Sequence, residues 1–564
     1  MGGLCTDLND LPEALGRALV LRGVETFQEA HQFFRPSLED LHDPFLMKDM
    51  EVAAERVREA ILNGEKVLVF GDYDVDGTTA AALMVSFLRE FGVSAEFFIP
   101  DRYADGYGLG MRGIEYACKL GVTLMITLDC GITAHDAADC LKERGIDLIV
   151  CDHHNAEDIL PEAIAVLDPK RPDCPYPYKE LTGCGVGFKL VQAVLRVLGC
   201  PPSDAYPYLD LVALAIASDI VPILGENRVL MYEGLRLIQE NPRVGLRMLA
   251  LQSGQDLGCC STSQIVFGLG PRINAAGRMG DASEAVELLI AKTPEKAARI
   301  AARLEKMNVE RRQHDMQTYE EAIRMMESSA STCMQNAIVL HSPNWHLGVI
   351  GIVASRLVER YHRPAILLTT SNGTAKGSAR SVYGYSIYDA IKPCENLLTR
   401  FGGHAYAAGL TLPVENVDAF RERLNEVVNQ TILPDQLKPE IEIDATLDLD
   451  EITPKFWRIL EQLGPFGPQN RKPVFHGRDL RVVSQPTLVG RDGHLKFQVR
   501  QGINGHSSSV FEVIGFGLHE LYPTVRESMQ YNKPLEMVFT LEENTYLGQS
   551  NFQLRAKDLK LDHN

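Results

Sequence analysis

Asp72, Asp74 and Asp76 crowd the segment VLVFGDYDVDG at residues 67–77, the first of four places where a run of residues stops on metal-capable side chains. The others are LMITLDCG with Asp129, DLIVCDHHN with Asp152, His153 and His154, and ALAIASDIVP with Asp219. Three are apolar runs of strand length; the alanine-rich run before Asp219 reads equally as helix. Ligands of open parallel sheets collect at the carboxyl ends of the strands. Carboxylates and imidazoles without a thiolate set suit Mg²⁺ or Mn²⁺. Asp74, Asp76, Asp129, His153, His154 and Asp219, six candidate ligands from four segments, exceed what one octahedral ion takes from protein, and two ions about 3.5–4 Å apart with a bridging carboxylate fit better. Such a pair activates water and clamps the attacking and leaving oxygens of an in-line phosphoryl displacement. The implied chemistry is hydrolysis of a phosphate ester or anhydride. Any one of these aspartates alone reads as a helix cap or turn residue; their conjunction points to metal. Cys130 and Cys151 adjoin the cluster and would suit Zn²⁺, but strand alternation aims Cys151 away from Asp152.

The intervening elements must bring these groups together. From residue 51 to about 225, helix VAAERVREAILNG is followed by strand KVLVFGD, helix TTAAALMVSFLREFG, strand AEFFIP, helix MRGIEYACKLG, strand TLMITLD, helix AHDAADCLKERG and strand DLIVCD. This alternation predicts an α/β fold with a doubly wound parallel sheet, in a domain spanning 51–292. Residues 1–50 read as a segment of short helices. Residues 293–332 read as one long connecting helix, capped by Thr293 with Pro294 in its first turn. Its polar middle, ERRQHD, suits a partly exposed strut. Residues 333–432 read as a smaller α/β unit: strand NAIVLHS, helix GVIGIVASRLVERY, strand PAILLT and helix SIYDAIKPCENLLTRFG. Residues 433–564 read as short strands with turn signals, which predicts a small β-barrel.

The chain has 564 residues, 45% hydrophobic and 23% charged, as in a soluble globular protein of several domains. No run is long and apolar enough for a membrane span. The segment MGGLCTDLNDLPEAL is unlike a secretory signal. Twelve cysteines without a CxxC suit a reducing, cytoplasmic location. The net charge of −19 disfavours nucleic acid as a global partner, yet residues 455–500 hold nine Lys or Arg against three Asp or Glu. An acidic body with one basic segment is what contact with DNA along a limited track would require; ordinary charge fluctuation gives the same pattern. No GxxxxGK[ST] is present, so nothing suggests ATP hydrolysis.

The motifs GDYDVDG, DRYADGYGL, DCGIT, CDHH, ASDIVP, GPRINAAGRMGDASEAVELL, NWHLGVIGIVASRL, GSARS, FGGHAYAAG and LGPFGPQNRKPVF occur in this order. In them the chain resembles the DHH phosphoesterase superfamily, named for the triplet that stands here as Asp152-His153-His154, and within it the bacterial single-strand-specific 5′→3′ DNA exonucleases. The resemblance covers nearly everything from about residue 40. It implies a DHH domain, a DHH-associated domain across a cleft and an OB-fold barrel. It also implies two Mn²⁺ or Mg²⁺ ions, one on Asp74 and Asp129, the other on Asp76, Asp129, His153 and Asp219, with Asp129 bridging. His154 would face the scissile phosphate, and Asp152 would orient a histidine. One position departs from the superfamily pattern: Phe70 stands where many members place a histidine, and it cannot ligate.

Substrate contacts follow in the same terms. GSARS brings Ser378 and Arg380 together in a glycine-flanked turn suited to a terminal phosphate; by resemblance Arg102 joins them as a 5′-phosphate pocket. In GGHAYAAG, Gly402 and Gly403 offer bare backbone to a sugar-phosphate, with His404 as a phosphate contact. Arg272, Asn274 and Arg278 are candidates to grip the strand near the metals. Trp345 and His346 are candidates to stack bases, as are Phe466, Phe475 and Phe497 of the barrel, although core packing is their simpler reading. The expected activity is release of 5′-mononucleotides from single-stranded DNA, in recombination and repair. The resemblance adds a single-stranded-DNA-binding protein and a RecQ-type helicase as partners, and a monomer is expected. Two alternatives have the same catalytic residues or the same fold: a phosphoesterase acting on short oligoribonucleotides or cyclic dinucleotides, and a non-catalytic replication scaffold. The C-terminal 125 residues argue against the first, and the intact ligand set against the second.

Overall fold

Val67 to Phe70 is an unbroken apolar run and Leu124 to Leu128 is broken only by Thr127, and both are buried on both faces, as an all-parallel sheet requires. The computed structural model describes residues 11–562 apart from 107, 329–334, 372, 491–492, 504–505 and 547–548; Arg491 and Asp492 of the basic segment therefore lie outside the described residues. Strands β1 (Lys66–Gly71), β2 (Ser94–Phe98), β3 (Leu124–Leu128), β4 (Asp147–Cys151) and β5 (Ala165–Leu167) form a sheet of order β2-β1-β3-β4-β5 with every pairing parallel. One face packs on helices Met50–Asn63, α1 (Val75–Glu90), α2 (Gly183–Val197) and α3 (Leu209–Ser218). The other packs on Met111–Leu120 and His135–Glu143. The doubly wound α/β reading holds. The run before Asp219 is helix α3, with Asp219 as its C-cap residue. Cys151 points into the α1 and α2 core, away from the carboxylates.

Helix α4 (Gly270–Met279) follows, then the 35-residue α5 (Pro294–Ser328). The second α/β unit holds β6 (Ile338–His341), β7 (Ala365–Ser371), β8 (Thr374–Arg380), β9 (Arg400–His404) and β10 (Ala407–Pro413), ordered β6-β7-β8-β10-β9, with helix α6 (Leu347–Tyr361) before β7. Two expectations are corrected here. GSARS is not a turn: Ser378 and Arg380 lie on β8, in register with Gly409 and Ala407 of β10. SIYDAIKPCENLLTRFG is not one helix: α-helix ends at Ile391, a 3₁₀ segment runs from Lys392 to Leu397, and β9 begins at Arg400. Pro393 allows that break, since proline removes an internal helix hydrogen bond.

Residues 445–561 build an eight-stranded sheet with helices Pro454–Gln462 and Tyr522–Tyr531. Phe475 and Phe497 are buried in its core, so of the three phenylalanines proposed for base stacking only the half-buried Phe466 is outside it. Helices Glu13–Val20 and Phe27–Phe34 share this core, with Leu15, Leu19, Ala30 and Phe33 packing among Leu447, Phe456 and Phe539. Residues 13–34 are thus a piece of the barrel unit, whereas Leu38, Leu41, Phe45 and Met47 pack on the first domain. No helix among the described residues is long and apolar enough to cross a membrane.

Arg228 clasps this unit to the first domain. From helix Gly225–Glu240 its guanidinium donates to the carbonyls of Phe33 (2.9 Å), Leu463 (2.9 Å), Gln462 (3.2 Å) and Gly464 (2.7 Å). Removing the donors leaves buried acceptors unpaired, which costs about 1–3 kcal/mol each. Arg228→Leu is expected to lower the melting temperature by several degrees and to open residues 435–470 to protease; unchanged melting and digestion would refute the clasp.

Candidate metal centre and cleft

The site forms where the parallel strands stop. β1 ends at Gly71, and Asp74 caps α1 by accepting from the Gly77 amide at 3.1 Å. Asp76 thereby falls in the first helical turn, fully buried, and accepts from the amides of Gly183 (2.6 Å) and Cys184 (2.8 Å) at the start of α2. Those N–H groups and the positive end of the helix dipole hold a carboxylate that burial disfavours. Asp129 follows β3 with φ +62°, an uncommon conformation for a non-glycine residue. Gly183 packs against it so closely that a Cβ would lie 2.6 Å from the Asp129 Cα.

His153 follows β4. Its Nε2 lies 3.1 Å from Asp129 Oδ1, 3.5 Å from Asp219 Oδ2 and 3.7 Å from Asp76 Oδ2. This is the four-residue set expected for one ion. A second convergence joins Asp72, Asp74 and Asp129. Asp72 belongs to neither ligand set that the resemblance implies. It is buried, and its Oδ1 has no hydrogen-bond partner. Beside Asp74 and Asp129 it offers an oxygen that could ligate a metal ion, which Phe70 cannot do. Phe70 itself lies on the opposite face of the sheet, stacked on Phe98 at 5.6 Å.

Electrostatics marks the cluster as cation-seeking. Burial first, then the charge of Asp74, pushes Asp76 up to about 7. Burial and neighbouring carboxylates raise Asp72, Asp129 and Asp219 in the same direction. Asp219 Oδ2, 3.5 Å from His153 Nε2, is a second buried oxygen without a hydrogen bond among the described residues. Oxygen-rich, partly unsatisfied and mutually repelling donors fit a hard divalent cation.

The two histidines are set apart by their neighbours. Burial and the charge of His154 push His153 down to about 3, which keeps it neutral as a ligand must be. Burial opposes charge on His154 too, but the hydrogen bond that its Nδ1 donates to the Asp152 carboxylate, at 2.7 Å, outweighs it and pushes His154 up to about 9. Asp152 is itself anchored by the amides of Ile132 (2.9 Å) and His153 (2.8 Å).

The second sheet forms the facing wall. The His404 ring lies parallel to that of His154, at 12° and 6.4 Å. Gly402 pairs with Gly409, which pairs with Ser378, so a row of near-bare backbone crosses this wall. Neither Gly402 nor Gly409 has a neighbour within 4 Å of its Cβ direction. Gly403, at φ +141°, is needed for a different reason: a Cβ there would meet Ala407 O at 2.4 Å. At the other end of the wall Arg380 donates to Ser378 Oγ at 2.9 Å. Arg102 reaches across to Gly277 O at 3.2 Å while lying 3.8 Å over the Tyr73 ring. Arg278 donates to Gly348 O at 3.0 Å. Burial, then the charge of Arg102, pushes Arg278 down to about 10, and burial and Arg102 lower Arg380 likewise. Arg102, Arg278 and Arg380 thus form a cationic pocket.

Other expected residues are placed elsewhere. Arg272 is occupied by Glu305 of α5 and by Gly268 O, so it serves to brace α4 on the strut. Asn274 stands half-buried between Arg272 and Arg278 on α4. Trp345 is core, its Nε1 donating to Glu321 at 2.9 Å, and His346 faces His314 and Tyr103.

A parallel sheet whose carboxyl edge carries paired acidic half-sites and an Asp-His-His triplet, faced by a glycine-floored second sheet, defines a DHH-type phosphoesterase architecture. Family models agree: "DHH family, N-terminal domain" matches residues 66–216, "DHHA1 domain" 334–430 and "RecJ OB domain" 443–558. The single-stranded-DNA-specific exonuclease RecJ of Bacillus subtilis is 36% identical over 542 residues, covering 96% of this chain and 67% of the relative. RecJ of Escherichia coli is 34% identical over 568 residues, covering 97% and 95%. A crystal structure of RecJ in complex with Mn²⁺ from Thermus thermophilus superposes with a TM-score of 0.83 at 30% identity, covering 99% of this chain and 77% of that one. A Mg²⁺ complex from the same source gives 0.76 at 28% identity, covering 99% and 76%. The chain belongs to the RecJ family of single-stranded-DNA-specific exonucleases, and its cofactor is a divalent metal ion.

The raised carboxylates fix a pH dependence. A carboxyl whose pKa rises on folding stabilises the fold below its unfolded value of 3.8, and that contribution is lost as pH climbs through about 7. Metal-free protein should therefore lose stability over this window, and Mn²⁺ should restore it. We expect the Mn²⁺-induced rise in melting temperature to be larger at about pH 7.5 than at about pH 5. An equal rise at both would contradict the assigned repulsion.

Proposed function

We propose that this chain is a 5′→3′ exonuclease on single-stranded DNA that releases 5′-mononucleotides by two-metal-ion phosphodiester hydrolysis and serves recombination and repair. The carrying observation is the convergence of Asp72, Asp74, Asp76, Asp129, His153 and Asp219 on one wall of a cleft, opposite His404 and beside three arginines. In this reading Asp74, Asp129 and Asp72 would hold one ion, and Asp76, Asp129, His153 and Asp219 would hold the other. The ions, when bound, supply an activated water and charge neutralisation at the phosphate. Asp152 locks the tautomer and direction of His154, whose positive charge faces the scissile phosphate. His404 approaches the same phosphate from the other wall. Ser378, Arg380, Arg102 and Arg278 take the terminal 5′-phosphate, whose charge offsets the mutual repulsion of the guanidinium groups. Gly402 and Gly403 let the backbone of the strand lie close to β9. With the His154 and His404 rings 6.4 Å apart, the cleft at this point is far too narrow to admit a duplex. The intact ligand set and the barrel favour this reading over a scaffold or a short-oligomer phosphoesterase. A single-stranded-DNA-binding protein would present the substrate, and a RecQ-type helicase would generate it, in the cytoplasm; the enzyme would act as a monomer.

Asp129→Ala should reduce hydrolysis at least about 1,000-fold while single-strand affinity stays within a few-fold. On 5′-labelled strands the wild type should release labelled mononucleotide at once, and on 3′-labelled strands only late. Early mononucleotide from the 3′ label would reverse the polarity, and full activity of the variant would remove Asp129 from the centre. Gly402→Ala, whose added Cβ has no neighbour within 4 Å, should raise KM by about 10-fold or more with no change in melting temperature; an unchanged KM would take the strand off this floor.

A further inference from the structure

The carboxyl edge of the first sheet carries positive charge at both ends. Its order is β2-β1-β3-β4-β5. Arg102 follows β2, the acidic and imidazole groups follow β1, β3 and β4, and Lys170 follows β5. The four inter-strand steps amount to roughly 19 Å. That span accommodates a terminal phosphate, a scissile phosphate and one more.

Lys170 is aimed by its local structure. Cys151 of β4 pairs with Leu167 of β5, so Asp168 stands beside Asp152. Asp168 is fully buried, and its Oδ1 accepts from the Lys170 amide at 2.7 Å. With Pro169 between them, this Asx turn fixes the path of the chain after β5. The lysine side chain is a quarter exposed. Its charge acts on Asp219, His153 and His404, whereas that of Arg102 acts on Asp72 at the opposite end of the cluster. Glu180 is the carboxylate nearest its ammonium, at 3.7 Å, with both side chains partly in solvent. A pair of that kind is worth about 0–1 kcal/mol, so a phosphate can displace it.

We propose that Lys170 binds the backbone phosphate immediately 3′ of the scissile bond, and that Asp168 is the residue that positions it. This rests on the reading above, in which the arginine pocket holds the 5′ terminus. The metal centre then lies between a fixed 5′ anchor and a 3′ anchor, and the strand is drawn straight through it. Lys170 thereby contributes to preference for strands over dinucleotides.

The test compares a 5′-phosphorylated dinucleotide, which has no phosphate beyond the scissile one, with a trinucleotide and a twelve-residue strand, all with Mn²⁺. For Lys170→Met, kcat/KM on the two longer substrates should fall about 10- to 100-fold, the worth of one charge-assisted hydrogen bond, mainly through KM. The dinucleotide should change less than about twofold. The slope of log kcat/KM against log salt on the long strand should become shallower by about 0.7, and Lys170→Arg should recover most of the loss. Equal losses on the dinucleotide and the longer substrates, or no loss on any, would overturn the proposal. Failure of the wild type to cleave any of the three would instead overturn the nuclease reading itself.

Discussion

Like-charge repulsion in a place sealed from water is the constraint around which this protein is built. Asp72, Asp76 and Asp129 are nearly or wholly inaccessible to solvent, and Asp219 joins them across His153. A cluster of this kind is stable only if its charge is answered. The protein answers part of it with backbone: the Gly183 and Cys184 amides on Asp76, the Gly77 amide on Asp74. The remainder calls for divalent cations. Several otherwise odd features serve this purpose, including the left-handed backbone of Asp129 and the glycine that must stand against it.

The same environment makes two adjacent histidines behave differently. His153 sits among carboxylates but deep in the protein, so it remains a neutral donor. His154 has Asp152 on its Nδ1 and keeps its proton. One side chain is suited to metal and the other to phosphate, and the difference comes from one buried carboxylate fixed by backbone amides. The facing wall continues this logic with polar atoms at its ends and almost none in between, since Gly402 and Gly409 leave the middle open. Both walls are braced by helices: Arg272 ties α4 to α5 through Glu305, and Arg278 ties α4 to the start of α6 through Gly348.

Much of this was legible in the residues alone. Strands β1, β3 and β4 are legible because they are nearly continuous apolar runs buried on both faces, whereas the three-residue β5 gives no such signal; the long helix is legible through its cap and period. The metal-capable residues stood out because several segments carried the same chemistry at strand ends. Reading failed where tertiary contacts overrode local pattern. GSARS has the composition of a turn, yet β7 and β10 on either side hold it as a central strand. The stretch ending in TRFGG looked helical until Pro393, and β10 then drew its end into a sheet edge. The N-terminal helices gave no sign that their partner lay more than 400 residues away.

The sequence by itself determined the class of chemistry, the parallel sheet and the ligand inventory, because those depend on side-chain type and on periodicities within a dozen residues. Only the tertiary structure decided which carboxylates lie together, that Asp72 converges with Asp74 and Asp129, that Arg272 pairs with Glu305 of the long helix, and that Lys170 follows the edge strand of the row. Those are matters of distance between elements remote in the chain. No local propensity encodes such distances; they are set when the sheets, the strut and the barrel pack together.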